Sequence, residues 1–250
     1  MTELLKILLL FGIGSLAGFI NVMAGGGSAI TLPILIFLGL EGSLANGTNR
    51  IAIVIQCLSA TLSFRQEKSQ KFKLSLKLAA FTLPGAVAGA FISTTISNEL
   101  FQKILAYILI GVIISMFIPK SNQRKLEGVS GQQSTWLIYP AMFFIGFYGG
   151  FIQVGVGFLF MASLYHLLKL DLVRVNMHKV FIILIYTIPA LLVFFFTHNV
   201  DLKLGLALGA GTGLGGWWAA KVSVKKGEGI IRMILIIAIF IMALKLLDVF

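Results

Sequence analysis

Gly14-Ser-Leu-Ala-Gly-Phe-Ile-Asn-Val22 and Gly146-Phe-Tyr-Gly-Gly-Phe-Ile-Gln-Val154 are similar stretches that lie far apart in a chain of 250 residues. Each stretch leads into a glycine-rich elbow. The first elbow has glycines at positions 25, 26 and 27, and the second has glycines at 155 and 157. Self-similarity of this kind is typical of a chain built from a duplicated unit. The sequence therefore predicts two related halves.

Three further matches follow the first in the same order along the chain. They pair Asn46-Gly-Thr-Asn49 with Asn176-Met-His-Lys179, Pro84–Ala90 with Ala210–Gly216, and Lys103 with the neighbourhood of Arg232. Four matches in one order argue against chance. They predict a first transmembrane repeat over residues 1–119, a cytoplasmic linker over 120–133 and a second transmembrane repeat over 134–250.

The composition predicts that the surroundings of the chain are lipid. Hydrophobic residues make up 58% of the chain and its mean hydropathy is +0.99, far above what a soluble domain of this length needs for its core. The net charge of +11 is divided among short clusters and does not form one face, which argues against a nucleic-acid-binding surface. Positively charged loops on the cytoplasmic side of a membrane, the positive-inside rule, explain it better. Cys57 is the only cysteine, so a disulfide framework or a cysteine metal site is not expected. We expect an all-α polytopic membrane protein, multi-pass in the plasma membrane.

Apolar runs between the polar clusters predict ten helical segments, five in each half. They lie near residues 4–23, 28–40, 44–64, 78–97, 102–119, 134–154, 158–169, 175–197, 203–220 and 229–248. Because five is an odd number, the second copy is expected to enter the membrane upside down, as in the inverted repeats of many secondary transporters. Lysine and arginine cluster at every second polar break, which agrees with this plan.

Two of the ten segments, 28–40 and 158–169, are too short to cross a membrane. They would measure roughly 18 to 20 Å, against a hydrocarbon core about 30 Å thick. We expect them to be half-helices, with the glycine elbows inside the membrane, where broken backbone must be buried in protein or line a cavity. If each is instead one half of a broken helix, each repeat has four spans and the repeats run parallel.

The residues of the first half resemble the signature of a known family. Gly18–Ser28, Pro33 and Ala45–Gln56 look like the motif of TauE/SafE membrane proteins, and the weaker second copy from Gly146 to Lys179 is similar to that family's duplicated architecture. The resemblance covers essentially the whole chain. It implies a plasma-membrane transporter, in the exporting direction, of sulfite, sulfonates or related small organic anions. The second half departs from the motif because its elbow has no triple glycine.

An anion that crosses a membrane needs compensation for its lost hydration, and two features of the sequence can supply it. Gly25, Gly26 and Gly27 can expose backbone N–H groups, and Ser28 can cap the half-helix that follows. The alternative is that these glycines only let helices pack closely. Asn46, Thr48, Asn49 and Arg50, with Gln56 further on, supply polar groups and a cation, and the second half supplies Asn176, His178 and Lys179.

The alternative for the second group is structural. Asn46 and Thr48 would cap the helix, and Arg50 would reach the outer membrane interface. We favour the functional interpretation because both halves carry a cation at related positions. The predicted substrate-binding residues are Asn21, Gly25, Gly26, Gly27, Ser28, Asn46, Thr48, Asn49, Arg50, Gln56, Gln153, Asn176, His178 and Lys179.

The remaining expectations concern cofactors and partners. No metal site, cofactor or nucleic acid is expected, and the expected partners are a small anionic substrate and the lipid bilayer. His178 could couple proton movement to export, and a homo-oligomer is an open possibility. An intramembrane enzyme is disfavoured because carboxylates are almost absent from the apolar segments. A passive anion channel shares every polar feature with a transporter, so the sequence leaves that alternative open.

Overall fold

The computed structural model describes residues 2–66, 72–117 and 135–246, and every regular element in these ranges is helical. The predicted all-helical fold is therefore confirmed, while the linker predicted at 120–133 lies outside the described residues. The helices are α1 (Glu3–Met23), α2 (Ser28–Phe37), α3 (Gly42–Gln66), α4 (Phe72–Thr95), α5 (Asn98–Phe117), α6 (Ile138–Phe151), α7 (Val156–Leu168), α8 (Leu172–Phe196) and α9 (Leu202–Leu246), with a 3-10 turn at Thr135–Leu137 before α6.

Helix α9 contains two of the predicted segments. Its backbone leaves helical geometry at Gly227, which has φ 70° and ψ −163°, a conformation open mainly to glycine. The bend lies between the segments predicted at 203–220 and 229–248. Helices α3, α4, α5 and α8 begin a few residues before the predicted segments, whereas α2 and α6 are shorter than theirs.

Helices α2 and α7 are the short helices that the sequence predicts. With 10 and 13 residues they measure about 15 and 20 Å. Each follows a backbone reversal with left-handed residues: Gly25 (φ 92°) before α2, and Gln153 (φ 61°) and Gly155 (φ 70°) before α7. The second elbow thus forms without a triple glycine, although a glutamine in this conformation costs about 1 to 2 kcal/mol.

Three of the helices in the described ranges are long and apolar enough to cross a membrane. They are α1, residues Lys73–Thr95 of α4, and α8. Helix α3 has the same length as α8 but carries a polar first half that is buried inside the protein, including Asn46 and Arg50. The polar residues of α3 explain why it does not count among the apolar spans.

Two helices, α9 and α4, form the largest interfaces among the described helices. Helix α9 packs along α1 and α3, and α4 packs along α6 and α8. Small residues bring the backbones together: Gly18 of α1 packs against the Thr212 backbone, and Gly150 of α6 packs against the Ala86 backbone. Close approach through small residues is a usual mode of helix packing in membranes.

A substitution in α1 tests whether this close approach holds the helices together. Gly18→Ala would place a methyl group against the Thr212 carbonyl, and we expect this overpacking to cost about 1 to 3 kcal/mol. Gly12→Ala in the same helix is the matched control, because nothing lies within 4 Å of its added methyl group. Thermal melting of the detergent-solubilised protein measures both. Equal melting temperatures for the two variants would contradict the packing described for α1 and α9.

Candidate functional site

The two elbows touch each other. A Cβ atom built on Gly25 would lie 2.5 Å from the carbonyl carbon of Gly157, and one built on Gly157 would collide with the backbone of Gly25. Only glycine at both positions permits this contact. The two residues also correspond to each other when the two similar stretches of sequence are aligned. The contact therefore joins the breaks that follow α1 and α6.

Arg50 of α3 binds the end of α6. Its side chain is fully buried, Nη1 donates to the Gly149 carbonyl at 3.2 Å, and Nη2 donates to the Gly150 carbonyl. Asn46, one turn earlier on α3, donates to the Phe151 carbonyl at 2.7 Å. The last carbonyls of a helix lack partners within the helix and carry its negative dipole end. The cation and the amide of α3 together satisfy them.

Lys179 of α8 does the same for the end of α1. It is 1% exposed, and its Nζ donates to the carbonyls of Asn21 (3.2 Å) and Val22 (2.7 Å) and to Oδ1 of Asn176 (2.8 Å). Asn176 in turn donates to the Met23 carbonyl at 3.4 Å. Each helix end is thus held by an asparagine and a cation from the other half of the chain.

The charges of Arg50 and Lys179 have no carboxylate partner among the described residues. The ion pairs there lie at exposed or partly exposed positions and join Lys6 and Lys203 to Glu3, Lys103 to Glu99, and Arg174 to Asp171. Burial of an unpaired cation is costly, and a bound anion would relieve that cost. The pair of cations is therefore the chemical feature of the site that favours an anion.

Two amides of the first elbow are engaged within the chain. The Gly25 amide donates to the Ile20 carbonyl at 3.3 Å, and the Gly27 amide donates to Oδ1 of Asn21, also at 3.3 Å. Asn21 also donates to Oε1 of Gln56 at 3.2 Å. Two of the amides expected to be free, those of Gly25 and Gly27, are therefore already used within the chain in this conformation. Asn21 and Gln56 instead tie the elbow to α3.

Ser28 does not cap α2, contrary to the expectation from sequence. The capping position belongs to Gly27, which has no side chain, and Ser28 is the first residue of the helix. Ser28 is nevertheless buried. Gly26 lies against the ring of Phe158 on α7, so this part of the elbow serves packing between α2 and α7.

In the side-chain amides of Asn49 and Gln153, one atom forms a hydrogen bond and the other has no partner among the described residues. Oδ1 of Asn49 accepts from Thr31 at 2.8 Å, and Nε2 of Gln153 donates to Thr187 at 3.3 Å. The buried atoms that have no hydrogen-bond partner in the described part of the chain include Asn46 Oδ1, Asn49 Nδ2, Arg50 Nε, Gln153 Oε1 and Tyr186 Oη. These atoms are the unused hydrogen-bonding capacity around the two helix ends.

Two predicted residues are engaged in other parts of the fold. The Thr48 hydroxyl accepts from the Asp201 amide at 2.9 Å, where α9 begins. Nδ1 of His178 lies 2.6 Å from the Ser75 hydroxyl, between α8 and α4. The structural alternative for α3 is wrong, because the helix begins at Gly42, so Asn46 and Thr48 do not cap it, and Arg50 is buried and does not reach an interface.

Sequence reasoning missed three residues of α8 that lie at the Arg50 site. The Cζ atom of Arg50 lies 4.6 Å above the Phe194 ring, a cation–π contact. Tyr186 faces Gly149, and Thr187 binds Gln153. The sequence did contain a signal for Tyr186. When the match between Asn46 and Asn176 is extended along the chain, Tyr186 aligns with the predicted residue Gln56.

The described residues contain no group of three or more histidine, cysteine, aspartate or glutamate side chains that could hold a metal ion. The polar groups near the elbows are instead amides, hydroxyls, backbone carbonyls and two cations. This set can bind and release a small anion, and it provides no paired acid and base. The site is thus suited to recognition.

Comparison with known proteins identifies the family of the chain. Residues 10–246 match the family model described as sulfite exporter TauE/SafE. A probable membrane transporter protein ORF9 from Sinorhizobium sp is 30% identical over 95% of this chain and 91% of its own length. A probable membrane transporter protein from Haemophilus influenzae is 27% identical over 95% and 93%.

A third relative is the probable membrane transporter protein YfcA from Escherichia coli, which is 26% identical over 95% of this chain and 88% of its own length. No solved structure matches the chain. Family and relatives point to membrane transport and not to an enzyme. The family model and the relatives cover nearly the whole chain, and the protein therefore belongs to the sulfite exporter TauE/SafE family.

Proposed function

We propose that the chain is a secondary transporter that exports small anions such as sulfite, sulfonates or related organic acids across the plasma membrane. The observation that carries the anion preference is the burial of Arg50 and Lys179 without a carboxylate partner among the described residues. Intramembrane cations are costly, so they commonly serve substrate or ion pathways. The family name and the relatives support transport itself.

We further propose that residues 1–119 and 134–250 form inverted repeats with the site at their seam. The contacts of α1 with α9 and of α6 with α4 use corresponding residues: Gly18 meets Thr212, and Gly150 meets Ala86. In a two-fold arrangement, corresponding positions that touch each other lie on the axis. Gly25 and Gly157 are such a pair, which supports an axis through the elbows.

The capping of the two broken helices supports the same arrangement. Arg50 of the first half binds the end of α6, and Lys179 of the second half binds the end of α1. Inverted-repeat transporters place their substrate where helices are interrupted near the midplane. Both sets of contacts cross the seam between the halves, so rocking of one half against the other would change them, which is a physical basis for alternating access.

Burial favours a carrier over a passive channel. Arg50 and Asn46 are 0% exposed and Lys179 is 1% exposed. A continuous water-filled pore through the site would expose these side chains. In the described conformation the protein is closed around them, so an anion reaches the site only after a conformational change. Such a step limits the rate at high substrate concentration.

Flux into proteoliposomes tests this proposal. We expect sulfite uptake to saturate with concentration and to be competed by methanesulfonate, because one closed site must open for each turnover. Stopped-flow detection of internal sulfite measures the rate, with empty liposomes as the control. A current that rises linearly with voltage and does not saturate with sulfite would support the channel and contradict the carrier. Absence of any anion flux would refute the proposed function.

A further inference from the structure

We propose that the Tyr186 hydroxyl and the Nε–H of Arg50 together form the oxyanion-binding site, and that Lys179 holds the end of α1 and does not contact the anion. This inference rests on the proposed function and deepens it. It assigns the two cations different tasks, and it adds to the site a tyrosine that the sequence did not predict.

The hydrogen bonds of Lys179 leave it no capacity for a substrate. An ammonium group has three N–H donors. Its three acceptors are the carbonyls of Asn21 and Val22 and Oδ1 of Asn176. An anion could bind Nζ only by displacing one of these acceptors, which would leave a buried oxygen unsatisfied. In this conformation Lys179 is fully occupied at the end of α1.

Arg50, in contrast to Lys179, has hydrogen-bond donors that are not used. A guanidinium has five N–H donors, and the structure shows two acceptors for it, the carbonyls of Gly149 and Gly150. Its Nε–H is buried and has no hydrogen-bond partner among the described residues. The two bonds at the Nη atoms fix the plane of the guanidinium. A donor with a fixed direction and a positive charge is thus left for another group.

The Tyr186 hydroxyl is the second unused donor at this place. The side chain is 0% exposed, and its oxygen has no partner of ordinary hydrogen-bond geometry in the described part of the chain. A Cβ built on Gly149 would lie 2.6 Å from this oxygen, and Gly149 is the residue whose carbonyl binds Arg50. The phenol and the guanidinium therefore lie on the same end of α6.

The surroundings of Tyr186 hold its ring in place. The ring stacks on Phe160 of α7 with centroids 5.9 Å apart. Its hydroxyl lies beside the side chains of Gln153 and Thr187, which bind each other. Gln153 itself has the left-handed backbone of the second elbow. Any movement of that elbow would therefore change the distance between Gln153 and the phenol, which links binding to the break before α7.

The chemistry of the two donors defines the class of anion. A cationic N–H and a neutral O–H that lie at the same end of α6 can bind two different oxygens of one oxyanion, as sulfite and sulfonates offer. Hydrogen bonds to a charged group are worth about 1.5 to 3 kcal/mol, so losing one weakens binding roughly tenfold or more. A single-atom anion such as chloride cannot use both donors in the same way. Tyr186 should therefore separate oxyanions from halides.

The test compares Tyr186→Phe with Tyr148→Phe. Tyr148 is the matched control because its hydroxyl, near the same elbow, already donates to the Val154 carbonyl. We expect Tyr186→Phe to raise KM for sulfite about tenfold with kcat changed less than threefold, and to leave inhibition by chloride unchanged. Tyr148→Phe should leave KM for sulfite within twofold of the wild type. Proteoliposome flux gives both constants, and thermal melting in detergent with and without sulfite gives an independent measure of binding.

The outcomes separate this inference from the proposed function. If the unsubstituted protein transports sulfite and Tyr186→Phe has an unchanged KM, the inference fails and the proposed function stands. If the unsubstituted protein transports no anion, the proposed function fails. Phenylalanine keeps the ring that packs on Phe160, so the variant is expected to fold. Loss of folded Tyr186→Phe protein would also overturn the inference, because the hydroxyl would then serve stability.

Discussion

Arg50→Ala is expected to reduce sulfite transport about thirtyfold or more in proteoliposomes. Truncation of one partner of a buried, hydrogen-bonded charge typically costs about 2 to 5 kcal/mol, and each 1.4 kcal/mol is tenfold. Arg50 is fully buried and supplies the fixed N–H donor of the proposed site. The alanine variant also leaves the carbonyls of Gly149 and Gly150 without their donor, so part of its loss will be lost stability.

Arg50→Lys separates the two effects. Lysine keeps the charge and most of the volume but lacks the planar fork that reaches two carbonyls and a third acceptor. We expect Arg50→Lys to melt at a temperature closer to that of the unsubstituted protein than Arg50→Ala. We also expect its sulfite transport to fall about tenfold or more. Lys179→Ala should reduce transport less than Arg50→Ala. Normal transport by Arg50→Lys would refute the anchoring role of the guanidinium.

The fold was predictable from sequence because the bilayer restricts it strongly. Apolar runs predict the positions of the helices to within a few residues, and the shortness of α2 and α7 followed from the short apolar segments after the elbows. The structure joins two predicted segments into α9, bent at Gly227. A glycine within a charged run signals an interruption, but the sequence does not say whether the helix resumes at once.

The candidate site was predictable in part, and the misses have a geometric reason. Arg50 and Lys179 were identified because a buried cation is costly in lipid. Thr48 and His178 were included because they stand beside those cations in sequence. Successive helix residues point about 100° apart, so a residue one or two positions away faces another neighbour. Thr48 faces the start of α9, and His178 faces Ser75.

The partners of the cations could not be predicted from sequence. Arg50 binds the backbone of Gly149 and Gly150, and a backbone carbonyl has the same chemistry at every residue. Which carbonyls are free depends on where α6 ends and on which helix passes beside that end. Tyr186 was missed for a related reason. Its alignment with Gln56 was a signal, but only the structure shows that its hydroxyl lies beside the end of α6.

Gly25→Ala is expected to prevent the protein from reaching its folded state or to lower its melting temperature more than any other single glycine substitution at the elbows. Two costs add at this residue. Its φ of 92° disfavours a side chain by about 1 to 2 kcal/mol. The added methyl group would also lie 2.5 Å from the backbone of Gly157, and overpacking costs about 1 to 3 kcal/mol where the neighbours can move. A backbone neighbour yields less than a side chain does.

Two further variants isolate these costs. Gly39→Ala carries the backbone cost alone, because its φ is 99° and nothing lies within 4 Å of the added methyl group. Gly157→Ala carries the collision alone, because its φ is not positive and its methyl group would meet the backbone of Gly25. Melting temperatures in detergent should fall least for Gly39→Ala, further for Gly157→Ala and furthest for Gly25→Ala. If Gly157→Ala melted no lower than Gly39→Ala, the elbows would not be in contact, and an axis through Gly25 and Gly157 would have to be abandoned.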